Sequence, residues 1–283
     1  MKIGCVGYGS IGRRHAANAR ALGHDVFVYD PVLPKADRVA FEREIYDECD
    51  AIVVASPTIF HEQALRACVG RGKHVLMEKP IAAQIGAIPM LIDFAEAKWD
   101  NLVIMMGNNL RLHPCVQQVK QWLGVGEIGE PLWANFICAH QTEKYTIDGV
   151  VLNTGAHEVD LALYLLGPAR CVIAHESDTA AYFTLLHDSG VRSNFFLDHA
   201  TPHRIREFWI AGEKQNIGVD IDARRMSLGT EATQAPGSYD DDYINEMRAF
   251  IDRINGVFAP GASGHDGLAT LRTLLDIRKK AQK

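Results

Sequence analysis

Over the first 110 residues, short β-branched apolar runs alternate with amphipathic stretches, a rhythm that predicts a parallel α/β sheet. The runs are Lys2–Val6, Asp25–Tyr29, Ala51–Ala55, His74–Met77 and Leu102–Met106, and each reads as a buried strand. Between the first two, Ser10–Leu22 combines Ala, Arg and Leu and is followed by Gly23, a helix with its stop signal. Pro31 and Pro34 fall in the short connection between Tyr29 and Ala51, so the helix and strand usual in such a connection are expected to be abbreviated.

From about Pro131 the pattern changes to longer runs with period-two character: Leu132–His140, Arg170–Ser177, Ala181–His187, Val191–Asp198, Arg204–Ala211 and Ile217–Ile221. Asp188-Ser189-Gly190 joins two of them as a hairpin turn, and the set predicts an open, mainly antiparallel sheet. A helix over Gly155–Leu166 ends at Gly167-Pro168. Two amphipathic helices follow the sheet. Tyr243, Met247, Phe250 and Ile254 share one face of the first, and Leu268, Leu271 and Leu275 one face of the last. The expected division is a domain of residues 1–112 and an α+β domain of residues 113–283.

Size and composition fit this division. A chain of 283 residues exceeds the usual single domain, and 47% hydrophobic residues are ample for two cores. The net charge of −6 is spread without a basic stripe, so nucleic acid is not an expected partner. Met1-Lys2 runs directly into Ile3-Gly4-Cys5-Val6, leaving no room for a secretory leader, and no apolar run approaches the roughly 20 residues of a bilayer span. A soluble, cytoplasmic protein is expected. The six cysteines lack a CxxC pair and read as buried free thiols. Neither they nor the 12 histidines stand at metal-ligand spacing, so no metal is expected.

Gly7-Tyr8-Gly9-Ser10-Ile11-Gly12 is a G-x-G-x-x-G placed directly after a strand and at the start of a helix. Glycines there let the backbone approach a pyrophosphate, and the helix N-terminus adds unpaired N–H groups and partial positive charge. Asp30 stands 18 residues after Gly12 at the end of the second strand, where a carboxylate accepts hydrogen bonds from the adenosine ribose hydroxyls. The two features together predict a Rossmann dinucleotide-binding domain. The same carboxylate repels a 2′-phosphate, which favours NAD over NADP. Arg13 and Arg14 pull the other way, unless they belong to a solvated helix face.

Two further segments carry a resemblance: Ala55-Ser56-Pro57-Thr58 followed by His61, and Gly72-Lys73-His74-Val75-Leu76-Met77-Glu78-Lys79-Pro80. The chain resembles the glucose–fructose oxidoreductase and inositol dehydrogenase family, often called Gfo/Idh/MocA. The likeness continues through Gly107-Asn108-Asn109-Leu110-Arg111-Leu112-His113-Pro114 and Gly155-Ala156-His157-Glu158-Val159-Asp160 and reaches the last two helices. It implies that Ser56, Pro57 and Thr58 lie by the nicotinamide, that His61, Glu78 and Lys79 belong to the cofactor-binding set, that Glu78-Lys79-Pro80 presents Lys79 to the substrate as well, and that Asn109 and Arg111 are polar positions at a domain junction that contact cofactor or substrate. An interdomain hydrogen bond is the other reading of Arg111.

Lys79 follows a buried strand on the carboxyl edge of the sheet, where open α/β folds bind ligands. There it hydrogen-bonds a substrate oxygen and stabilises a developing alkoxide, or else it is an exposed loop lysine. His157 lies in the first turn of its helix, on the side of Asp160, Leu161 and Tyr164. It is either a helix histidine paired with Asp160 or a general base that removes the substrate hydroxyl proton. The resemblance implies the second role, commonly with an aspartate four residues earlier. Here that residue is Asn153, which cannot take up a proton but orients a hydroxyl or caps the helix. Lys144, Tyr145 and Asp148 precede it in a glycine-containing loop.

The resemblance implies an oxidoreductase that passes hydride between NAD and a secondary alcohol carbon of a sugar, sugar derivative or cyclitol. Two alternatives stay open: an enzyme that retains and recycles NAD during elimination, epimerisation or coupled oxidation and reduction, and a regulator of the same fold that senses NAD or sugar without turnover. The few helices of the second domain cannot cover both faces of its sheet. Residues such as Phe195, Phe208 and Trp209 are therefore expected to form a homodimer or homotetramer through it.

Overall fold

The computed structural model describes residues 1–34, 39, 42–142 and 148–282. In chain order the first part holds β1 (Lys2–Val6), α1 (Ser10–Ala21), β2 (Asp25–Tyr29), α2 (Glu42–Glu48), β3 (Ala51–Val54), α3 (His61–Gly70), β4 (His74–Glu78), α4 (Ile88–Lys98) and β5 (Ile104–Gly107). Then follow α5 (Pro114–Val125), β6 (Pro131–Ala139), α6 (Gly149–Asn153), α7 (Gly155–Leu166), β7 (Ala169–Glu176), β8 (Ala180–His187) and β9 (Arg192–Asp198). The chain closes with β10 (Ile205–Gly212), β11 (Asn216–Asp220), β12 (Arg225–Leu228), β13 (Glu231–Gln234), α8 (Tyr239–Ile254), β14 (Ala262–Ser263) and α9 (Gly264–Ala281). Two compact units result: Met1–Asn109 with Asp240–Leu268, and Leu110–Tyr239 with Ala269–Lys283. The sequence reading keeps everything beyond residue 112 together. Packing instead returns Asp240–Leu268 to the first unit, where β14 pairs antiparallel with β5.

In the first unit the sheet runs β14-β5-β4-β3-β1-β2, with β1 to β5 all parallel. All four residues of β3 are buried, as strands covered on both faces demand. Between β2 and β3 the described residues hold α2 and no further strand, the abbreviation that the prolines predict. Because the chain leaves β1 toward β2 on one side and β3 on the other, the carboxyl ends of β1 and β3 form the topological switch point where such sheets bind ligands.

The second unit is built on an eight-stranded sheet, β13-β12-β11-β10-β6-β9-β8-β7, in which every pairing is antiparallel except β6 with β9. Along one face Phe183, Phe195, Phe136 and Phe208 stack in series, with ring centroids 4.5, 4.9 and 5.4 Å apart. Each is fully buried, a contribution of about 1.5–3 kcal/mol per side chain. This corrects the expectation that Phe195 and Phe208 lie on an open face. Alternation instead turns their neighbours Phe196 and Trp209 outward, together with Trp133, Ile173 and Tyr182. The strands β12 and β13 escape sequence reading because Arg225–Leu228 and Glu231–Gln234 are only four residues each, and β13, the edge strand, is exposed and carries no apolar alternation. In α9, Leu274 rather than Leu275 is fully buried alongside Leu271. His113 caps α5, its Nδ1 accepting the Cys115 N–H at 3.2 Å. Burial, reinforced by Arg224, lowers this imidazole to about 4, which keeps the accepting nitrogen unprotonated.

All six cysteines are buried and none is in a disulfide, and burial raises Cys5 and Cys138 to about 12. No helix among the described residues is long and apolar enough to cross a membrane.

Candidate active site

The glycine turn after β1 is shaped by contacts that exclude side chains. Gly7 has φ +91°, and a Cβ there would stand 2.5 Å from Ala55 O and Ser56 N. A Cβ on Gly12 would collide with Gly7 O, whereas Gly9 faces open space. No side chain caps α1 at Gly9, so the amides of its first turn, with Ser10 and Ile11, are presented as an anion-binding surface. Asp30 closes the turn from the end of β2. Its carboxylate accepts the Tyr8 N–H at 2.7 Å and the Val32 N–H at 2.9 Å, leaving a lone pair on each oxygen for further donors. The uncapped helix, the glycine cradle and the anchored carboxylate fit a dinucleotide: amides for the pyrophosphate and Asp30 for ribose hydroxyls. Arg13 is held locally by its Nε–H on Tyr8 O at 3.1 Å. Arg14 lies over the Tyr243 ring at 4.6 Å, with Asp240 3.6 Å away.

At the carboxyl end of β3, Pro57 leads into a single 3-10 turn, Thr58–Phe60, and Thr58 is buried. The Ser56 hydroxyl is buried with no hydrogen-bond partner, an unmet polar group at the mouth of the parallel sheet. His61 bridges this strand end to the next: its Nε2 lies 2.8 Å from Ser56 O and its Nδ1 2.8 Å from Pro80 O. The expectation for His61 is direct cofactor contact. The geometry gives it a tethering task between the Ser56 and Lys79 segments. Glu78 ends β4 with a buried carboxylate, and Lys79 follows at partial exposure. Asn109 is buried, and so is its neighbour Asn108, whose Oδ1 has no hydrogen-bond partner. Asn108 sits in the same asparagine pair that the sequence marks, but nothing in the sequence distinguishes which of the two is left unsatisfied.

In the second unit, α6 and α7 follow one another with only Thr154 between them, itself in helical conformation. Asn153 is therefore the last residue of α6. It does not cap α7, and the capping expectation is corrected. His157 lies four residues on, so the two side chains occupy one side of successive turns. Thr154 Oγ1 is 2.6 Å from His199 Nε2, and the His140 ring stands 5.4 Å from that of His199. Burial, with His199 and two arginines nearby, lowers His140. These polar groups beside Asn153 come from the ends of β6 and β9, too far along the chain for sequence pattern to connect them. Glu158, next to His157, pairs with Arg206 at 2.8 Å in a buried contact. Burial, the largest single influence, disfavours the Arg206 charge, but the Glu158 carboxylate, its hydrogen bond, Cys138 and Asp222 together raise this guanidinium above its usual range.

Asp160 is engaged by Arg111 through two hydrogen bonds, Nε at 2.9 Å and Nη2 at 2.7 Å, while the guanidinium also lies 4.7 Å from the Tyr164 ring centroid. Both side chains are about 5% exposed or less. The structure thus gives Arg111 a buried bidentate ion pair within this unit. Lys144 and Tyr145 lie outside the described residues, and Asp148 directly precedes α6.

A family model described as an oxidoreductase family with an NAD-binding Rossmann fold matches residues 1–106, and the GFO/IDH/MocA C-terminal domain matches residues 116–217. Inositol 2-dehydrogenase 2 of Saccharopolyspora erythraea is 34% identical over 79% of this chain and 71% of its own length. The chain belongs to the Gfo/Idh/MocA family. It is an NAD-binding oxidoreductase of that family. Solved structures share the fold. UDP-N-acetylglucosamine 3-dehydrogenase from Acidithiobacillus ferrooxidans superposes with a TM-score of 0.86 at 22% identity, covering 100% of this chain and 98% of that one. Levoglucosan dehydrogenase in complex with NADH gives 0.89 at 17% identity, covering 100% and 97%.

Proposed function

We propose that this Gfo/Idh/MocA protein transfers a hydride between NAD and a secondary alcohol carbon of a sugar, sugar derivative or cyclitol. The observation that carries the reading is the glycine cradle on an uncapped helix with Asp30 fixed beside it, in a chain 34% identical to an inositol 2-dehydrogenase. The nicotinamide cofactor supplies the hydride acceptor. The amides of Gly9, Ser10 and Ile11 hold the pyrophosphate, Asp30 takes the ribose hydroxyls, and Ser56, Pro57 and Thr58 border the nicotinamide. Lys79 hydrogen-bonds the reacting oxygen, His157 accepts the hydroxyl proton, and Asn153 orients the hydroxyl without holding a proton. The test is NADH formation across a panel of inositols, hexoses, amino sugars and sugar acids, with no turnover of any member as the refuting outcome.

Cofactor choice follows from the same carboxylate. NAD is expected to bind more tightly than NADP because a 2′-phosphate would meet the Asp30 charge at close range. Asp30→Ala is expected to narrow the gap to within about tenfold by weakening NAD and relieving NADP. Equal dissociation constants for the wild-type protein would remove the claim.

A homodimer or homotetramer through the second-unit sheet belongs to the same proposal. Its support is the outward face bearing Trp133, Ile173, Tyr182, Phe196 and Trp209, each more than a third exposed. Light scattering is expected to give at least twice the chain mass, and Phe196→Asp to shift it toward the monomer. A wild-type monomer at micromolar concentration would contradict it. The six buried cysteines, none in a disulfide, support a cytoplasmic location.

A further inference from the structure

At the end of β4, Glu78 turns its carboxylate toward α1. Its Oε1 lies 2.7 Å from His15 Nε2, and its Oε2 accepts the backbone N–H of Lys79 at 3.2 Å. Gly107 makes the room, since a Cβ there would stand 2.9 Å from Oε1 and 3.0 Å from Cδ. A second carboxyl arrives from α8. Glu246 has no exposed surface, and neither of its carboxyl oxygens has a hydrogen-bond partner. One ligand-type atom from each of His15, Glu78 and Glu246 lies within 4.8 Å of the other two. Tyr243, one turn before Glu246, meets the His15 ring edge-on at 6.1 Å and 70°. It lies under the Arg14 guanidinium, so α8 is seated on α1 at this spot.

Two carboxylates this close and this deep do not both stay ionised without a compensating proton or cation. The His15–Glu78 contact decides between the two. A tetrahedral ion at about 2.0–2.1 Å from each ligand would hold them roughly 3.3 Å apart, whereas 2.7 Å is a hydrogen-bond length. Glu78 receives two donors and Glu246 none, so the proton belongs on Glu246. We propose that Glu246 is a positioning residue, a neutral carboxylic acid behind the Glu78–Lys79 turn. It leaves Glu78 as the ionised partner that holds both His15 and the Lys79 amide. The link to catalysis rests on the role of Lys79 given above; the charge state of Glu246 does not.

Burial and the Glu78 charge raise Glu246 well above the usual carboxylate range. Among the described residues, the titratable and charged groups beside it are His15 from α1 and Glu78 from β4, Tyr243 and the buried Asp242 one turn earlier on its own helix, and the Arg14 guanidinium over Tyr243. The folded protein therefore keeps a proton that the unfolded chain releases near its ordinary value. The stability linked to that proton is full in acid and is lost as pH rises toward the folded value. Ionisation there places a second anion against Glu78 and loosens the contact that fixes the Lys79 backbone.

The experiment uses the full chain with NAD bound. The infrared spectrum at neutral pH is expected to contain a protonated-carboxyl C=O band that Glu246→Gln removes, and metal analysis to find no stoichiometric divalent ion. The decline of Tm as pH rises above the ordinary carboxylate range is expected to flatten in Glu246→Gln. Glu246→Ala is expected to lower kcat roughly tenfold with an unchanged NADH dissociation constant. Glu246→Gln should rescue it while lacking the alkaline limb of the wild-type profile. A missing band, one bound divalent ion per chain, or equal Tm slopes would overturn the assignment. Those readouts stand apart from Lys79: a fully active Lys79→Ala variant with the band intact would overturn only the catalytic reading of Lys79.

Discussion

Lys79→Ala is expected to lower kcat by about 10²–10⁴-fold while leaving the NADH dissociation constant within roughly twofold, and His157→Ala to do the same. The split follows from what each side chain is asked to do. On the proposed reading, backbone amides at the start of α1 would hold the pyrophosphate and Asp30 the ribose, so neither variant would remove a principal cofactor contact. Both lose an interaction that strengthens as charge develops on the reacting oxygen. Steady-state kinetics with the best substrate of the panel, paired with NADH fluorescence titration, reads both quantities. Near-wild-type kcat in Lys79→Ala rejects its role, and a large loss of NADH affinity would move Lys79 from substrate to cofactor.

Arg111→Ala is expected to destabilise the second unit by about 3–5 kcal/mol, because it removes the charged, bidentate partner of a buried Asp160 carboxylate. Thr270 Oγ1, 3.4 Å from Asp160 Oδ1, is too distant and uncharged to compensate. Chemical denaturation should report the loss, and the double variant Arg111→Met with Asp160→Leu should recover much of it, since it removes both charges together. A loss below about 1 kcal/mol in the single variant, as for an exposed pair, would restore Arg111 as a candidate substrate ligand.

The local signals were the legible ones. Continuous apolar runs placed β1 to β5 to within two residues at each end, and Gly167 marked the end of α7 where the backbone turns to φ +87°. The glycine turn was readable because its signal lies in six consecutive residues plus Asp30. What sequence pattern missed depends on contacts between distant segments. The face that Phe195 presents is set by the register of β9 with β6 and β8, and a shift of one residue would exchange it with Phe196. Arg111 reads as a junction residue until Asp160, from α7, takes its guanidinium. Glu246 looks like an ordinary polar position of an amphipathic helix, and only the packing of α8 on α1 brings it to Glu78.

Hydride transfer itself is tested most directly with substrates deuterated at the reacting carbon. Wild-type protein, NAD and the best sugar or cyclitol are expected to yield NADH carrying deuterium at C4 of the nicotinamide, with a rate that falls on deuteration and with Lys79→Ala. Sugar binding with no deuterium in either released or protein-bound cofactor, for any member of the panel, would contradict the account and mark the chain as a non-catalytic sensor.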